Sequence, residues 1–128
     1  MAKRFRNEHG LIGFNGEPIK VPLRIEGEGQ NAVVVEWGEK TYDIFKAILM
    51  NAPTKTQNDC IQGVRVFDAL EKGKDAEFIE LEEEGHTWIK PQAEQLTPAI
   101  FRFNGHIVYD FVKEGFEKAK QPKDKIGE

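Results

Sequence analysis

The hydrophobic period of this chain changes once, and that change limits what it can fold into more than any other feature. From residue 19 to 25 the apolar side chains Ile19, Val21, Leu23 and Ile25 alternate with other residues, the period of two that gives a strand one apolar and one wet face. From Thr41 the apolar residues Phe45, Ile48, Leu49 and Ala52 fall at i, i+3, i+4 and i+7, the stripe of an amphipathic helix, widened by Ile44. Strands first and helices afterwards predict an α+β fold, a small N-terminal antiparallel β meander packed with three to four short helices. A length of 128 residues fits a single domain. The reading places that domain over residues 11–120, between a basic flexible arm (1–10) and a mobile tail (121–128).

Within the β region, Asn15-Gly16 follows Leu11, Ile12 and Phe14 and is the dipeptide most favoured in two-residue hairpin turns. Pro18 and Pro22 cannot donate ladder hydrogen bonds, so the strand 18–25 belongs at an edge or carries a bulge. After a turn at 27–31, the β-branched run Ala32–Trp37 reads as a more central strand. The first helix has Thr41 or Asp43 as its cap and stops at Pro53. A second is capped by Asn58 or Asp59 and runs to Lys72, with Ile61, Val64, Ala69 and Leu70 as core positions and Gly73 as the stop. Phe78–Leu81 reads as a short strand, and Glu82–Lys90 as one or two helical turns ending at Pro91. Thr97-Pro98 is a good start for a short helix to Phe103. The rival is a hairpin about Asn104-Gly105 that pairs Phe101 and Phe103 with Ile107 and Tyr109. Val108, Phe111, Val112 and Phe116 then share one face of a final helix ending at Gln121-Pro122.

Composition narrows the classes of function. Charged residues make up 31% and hydrophobic ones 39%, which predicts a modest core under a heavily ionised surface. Nine Phe, two Trp and two Tyr argue against disorder. No apolar run approaches the roughly 18 residues of a membrane span, and the segment MAKRFRNEHG has no apolar stretch of signal-peptide length, so a cytoplasmic protein is expected. The net charge of −4 argues against a broad duplex-binding face. Charge is nonetheless uneven: Lys3, Arg4 and Arg6 are basic, whereas residues 75–84 carry only negative charge.

Few residues form a pattern that chemistry would need. His9, His86 and His106 lack the i, i+4 spacing of paired metal ligands and read as surface or half-buried side chains. The lone Cys60 cannot close an intrachain disulfide and reads as a small packed thiol at a helix start. Gly27-Glu-Gly-Gln has no Gly-Lys-Ser/Thr after it and is not a phosphate loop. An enzyme would need His86 or His106 as a base beside a carboxylate brought by the fold, which no local motif signals. No catalytic residue, metal or cofactor is therefore expected. The candidate contact residues are the aromatics Trp37, Trp88, Phe101 and Phe103, with Arg102 between the last two, and the acidic run Glu82, Glu83 and Glu84.

The segments Phe14–Ile19 (FNGEPI), Tyr42–Pro53 (YDIFKAILMNAP), Gly63–Leu70 (GVRVFDAL), Phe78–Glu84 (FIELEEE) and Trp88–Lys90 (WIK) stand in an order that resembles a group of short proteins encoded by tailed bacteriophages. The residues 27–35 and the Gly85-His86 step depart from that group's simplest pattern. The resemblance implies a phage gene product without known catalytic residues, so it carries no site over. The expectation is a non-enzymatic protein that contacts a phage or host protein, in virion assembly or as a host-factor binder, and that forms a homo-oligomer through exposed strand edges. The alternative is a single-stranded nucleic-acid module built on Phe101-Arg102-Phe103 and the basic arm.

Overall fold

In a computed structural model, which describes residues 3–7 and 11–124 and their side chains through residue 114, the N-terminal basic segment is part of the core. Lys3–Arg6 form strand β1, which pairs antiparallel with β4 (Phe78–Leu81), Phe5 opposite Ile79. Phe5 is 0% exposed, and its ring packs edge-on against Phe45 at 4.7 Å and Phe111 at 5.4 Å. The expected flexible arm is thus corrected for residues 3–7. One large ring buried between a strand and two helices outweighs the three basic neighbours, whose chains lie along the surface: Arg4 sits over the Phe78 ring at 4.7 Å and Arg6 reaches Glu77 at 3.7 Å.

Asn7 extends this closure. Its side-chain amide donates to the carbonyls of Gly73 (2.7 Å), Lys74 (2.9 Å) and Ala76 (3.3 Å), while its Oδ1 accepts from the Tyr42 N–H at 3.0 Å. One buried side chain therefore satisfies orphan groups at the start of helix α1 (Thr41–Asn51) and the end of helix α2 (Gln57–Gly73). Beside it the Tyr42 hydroxyl donates to Glu71 Oε2 at 2.5 Å, and burial together with that carboxylate pushes the phenol up to about 12.

Both helices form where the apolar spacing places them, capped one residue (Lys40) and two residues (Thr56) before the earliest expected caps, Thr41 and Asn58. Asp43 lies in the first turn of α1 and accepts from the Lys40 N–H at 3.2 Å. In α2 the cap is Thr56, whose hydroxyl accepts from the Asp59 N–H while Asp59 accepts from the Thr56 N–H, a reciprocal capping box. The buried side of α2 is Gln62, Val66, Leu70 and Gly73; Ile61 and Val64 are exposed, contrary to the expected core. Gly73 is needed for close approach and not for a left-handed turn: a Cβ there would lie 2.8 Å from Ile79 Cγ1 and 2.9 Å from the Phe78 carbonyl oxygen.

The largest difference from the sequence reading is helix α3, which runs unbroken from Glu83 to Phe101 through Pro91 and Pro98. The prolines stand seven residues apart on one exposed face, and the carbonyls they leave unbonded belong to Thr87 and Glu94, also exposed. The buried opposite side, including His86, Ile89, Ala93 and Thr97, holds the helix together. A 3-10 turn at Arg102–Asn104 then leads into α4 (Gly105–Asp124), so the hairpin about Asn104-Gly105 does not form. Helix α4 continues past Gln121-Pro122, where the sequence reading ends it. Val108 and Val112 are fully buried and Phe111 packs against the core; the expected packing of Phe116 falls outside the described side chains.

The fold is α+β with two separate two-stranded antiparallel sheets, β1–β4 in the core and β2 (Val21–Glu26) with β3 (Val33–Gly38) outside it. The first limb of the expected meander is reduced to a single bridge, Ile12 to Pro18. Its turn has Phe14-Asn15 as the central pair, with the Gly16 N–H donating to the Gly13 carbonyl at 3.0 Å and Gly16 at φ 85°. Gly16 supplies the left-handed position of a three-residue loop, where the sequence suggested a two-residue turn.

Candidate interaction surface

The β2–β3 ribbon leaves the body of the protein at a close contact. Val21, paired with Gly38, is buried, and a Cβ on Gly38 would collide with Asp43 of α1. Beyond that base the ribbon packs mainly on itself, with β2 making its contact to α1. Leu23, Ile25, Val33, Val35 and Trp37 are all exposed, Trp37 at 51%. The alternation from Ile19 to Ile25 is real, yet only Ile19 and Val21 lie under cover; among the described residues no layer packs on Leu23 and Ile25. For the same reason Ala32–Trp37 is not a central strand. It has β2 on one side and, among the described residues, no strand on the other.

Ladder irregularities flank Arg24, which pairs with Glu36. Its guanidinium reaches Glu26 Oε2 at 2.7 Å and Glu36 Oε1 at 3.6 Å. Arg24 thus pairs with both carboxylates of the ribbon, and most of the other side chains presented to water are apolar. A second apolar patch lies at the α3–α4 corner. Phe103 is 74% exposed and meets Phe14 edge-on at 5.6 Å, close to an Asn104 Oδ1 that accepts from the Phe14 N–H at 2.8 Å. Arg102, at φ 58°, occupies a backbone region that side-chain-bearing residues rarely adopt, and this turn is what projects Phe103 outward.

The sequence-derived contact residues therefore separate. Trp37 and Phe103 are exposed on two patches, whereas Trp88 and Phe101 are buried in the core. The Trp88 indole N–H donates to Asp59 Oδ1 at 3.0 Å and, first among several bonds, holds that carboxyl below the usual range. Burial of Phe101 breaks the Phe101-Arg102-Phe103 stacking platform, because residues i and i+2 at a helix end face different directions. Glu82, Glu83 and Glu84 are exposed at the start of α3, where carboxylates suit the positive end of the helix, and Glu84 pairs with Arg65 at 2.9 Å. An open groove of about 880 Å³ beside them is lined by both signs of charge, among them Arg4, Arg65, Lys72, Asp68, Glu80 and Glu82, and offers no single-sign field for an ion.

The histidine and thiol readings also change. His86 is buried, its Nε2–H donating to the Val112 carbonyl at 2.7 Å and tying α3 to α4, and burial lowers its pKa. His106 is exposed, His9 lies outside the described residues, and Cys60 is exposed instead of packed. Among the described residues no three His, Cys, Asp or Glu side chains converge as a metal site, and no helix is long and apolar enough to cross a membrane. Sequence reasoning missed Leu23, Ile25, Val33 and Val35 as surface residues, since strand alternation does not reveal whether a second layer exists. No known protein family, curated protein or solved structure matches the chain.

Proposed function

We propose that this protein acts through protein–protein contacts, as an assembly or accessory component of a tailed phage or as a binder of a host factor, in the host cytoplasm or the virion. The observation that carries the reading is the β2–β3 ribbon, on which five large apolar side chains stand in water on a two-stranded sheet. Exposed apolar groups gathered on one projecting element mark contact surfaces more often than scattered ones do. A large exposed aromatic such as Trp37 is the usual anchor of binding energy on such a surface. The phage assignment rests on the segment order alone.

Affinity capture from bacterial lysate with the wild-type chain and with Trp37→Ser tests the reading. The expected result is a binding partner, a second copy or another protein, retained by the wild type and lost by the variant at an unaltered melting temperature. Identical capture and identical oligomeric state in both would overturn it. Salt-sensitive binding of a single-stranded oligonucleotide through Arg102 and Phe103 would instead favour the nucleic-acid alternative.

A further inference from the structure

We propose that two copies of this chain exchange helix α4: the corner at Arg102 opens, α3 and α4 join into one continuous helix, and a domain-swapped dimer results. The proposal goes beyond the contact reading above and does not involve the ribbon. Arg102 is the one non-glycine residue with positive φ among the described residues, at φ 58° and ψ −124°, outside even the left-handed helical region. Strain held in a short hinge favours exchange, because opening the hinge releases it. The backbone is right-handed on both sides, with Phe101 at φ −112° and ψ 0° and Gly105 at φ −55° and ψ −43°. Residues 102–104 contain neither Pro nor Gly, and Gly105, at helical angles, does not act as a left-handed helix stop.

The packing suits one long helix as well as two short ones. Buried positions follow one another three or four residues apart straight through the corner, at Ala93, Thr97, Phe101, Gly105, Val108 and Val112, the spacing of a single helical stripe. In the closed form α4 folds back along α3, with Gly105 beside Thr97 and Pro98 and the Val112 carbonyl bonded to His86 at 2.7 Å. Straightening at Arg102 carries α4 away from its own body, and a second copy then supplies the same neighbours: His86 for Val112, and Phe5 and Phe45 for Phe111. The exchange is reciprocal about a two-fold axis near residue 103. The two Phe103 rings, each 74% exposed in the closed form, meet beside that axis. Segment 11–18 is what holds a single chain closed, since the Phe14 N–H donates to Asn104 Oδ1 at 2.8 Å and the Phe14 ring rests on Phe103.

Two substitutions act on the hinge in opposite directions. Arg102→Gly supplies the residue that accepts φ 58° and resists helix formation, so it keeps the corner closed. Gly105→Ala adds a Cβ that meets Thr97 and Pro98 at 3.0 Å only while the corner is closed, and alanine favours the continuous helix. The test is to refold the full chain from denaturant over a range of concentrations and size the products by light scattering. The wild type is expected to form a dimer whose share grows with concentration. Arg102→Gly should raise the dimer dissociation constant roughly tenfold or more and Gly105→Ala lower it by a similar factor, because each dimer contains two hinges. Trp37→Ser should leave it unchanged, which separates this dimer from any contact made by the ribbon. Amide exchange of the wild type needs no variant to fold: residues 103–107 should be better protected in the dimer than in the monomer, because a continuous helix bonds their N–H groups to carbonyls one turn back. A wild type that stays monomeric at every refolding concentration, a dimer indifferent to both hinge substitutions, a dimer lost on Trp37→Ser, or equal exchange at 103–107 in both forms overturns the proposal.

Discussion

Asn7 and His86 are the two residues whose contribution depends most on polar bonds made under cover. In Asn7→Asp the acceptor for Tyr42 remains, but a carboxylate oxygen replaces the amide that faces three carbonyls at the end of α2. Stranding even one such buried group costs about 1 to 3 kcal/mol. The melting temperature of Asn7→Asp is therefore expected to fall by at least several degrees, and an unaltered midpoint would contradict the role given to this side chain. His86 ties stability to pH. Burial, aided by Lys90 and Lys3, lowers its folded pKa below the unfolded value of 6.5, although the bond to Val112 acts the other way. Between those two values the unfolded chain holds the extra proton, so stability is full above about 6.5 and falls as the solution is acidified through that window. Thermal melts of the wild type and His86→Gln across that range should show the histidine-dependent part of the slope disappear in the variant.

At the scale of elements, the corner between α3 and α4 depends on Gly105. A Cβ at this position would lie 3.0 Å from the backbone of Pro98 and Thr97, atoms that cannot swing aside as a side chain would. Gly105→Ala should consequently destabilise by about 1 to 3 kcal/mol, although alanine is the better helix former by about 1 kcal/mol in an open position. A rise in the unfolding midpoint would show that the two helices have room to separate. The prolines of α3 illustrate a related point. Their cost to a helix is set by what becomes of the freed carbonyl, and here both carbonyls belong to exposed residues, Thr87 and Glu94.

For the molecule as a whole, β1 decides whether the body closes. Phe5 touches rings from α1 and α4 and lies opposite Ile79, so Phe5→Ala should cost about 3 to 5 kcal/mol, a large share of the net stability of a domain this size. Urea denaturation of the variant should show a midpoint far below that of the wild type. A midpoint that barely moves would restore the reading of residues 3–7 as a free arm. The ribbon follows the opposite logic: substitutions at Trp37 or Val35 should leave folding of the body intact, because β2 and β3 contribute little to the core that Phe5 completes.

The α+β class, the hairpin signal at 11–18, the apolar stripe of α1 and the strand at Phe78–Leu81 were legible in the chain, because each depends on spacing or on a residue's own backbone preference. Which residues of α2 are buried was not legible, since Ile61 and Val64 fit a helical stripe as well as Val66 and Leu70 do. The choice between them was made by the elements packed on the helix. Phe5 gave no periodic signal in a four-residue strand, and its partner Ile79 lies seventy-four residues away in the sequence. The exposed ribbon shows the same limit at the candidate site. Alternation from Ile19 to Ile25 determines that the segment is extended; only the tertiary arrangement decides whether a second layer covers its apolar face, because burial depends on groups far away in sequence that local spacing does not encode.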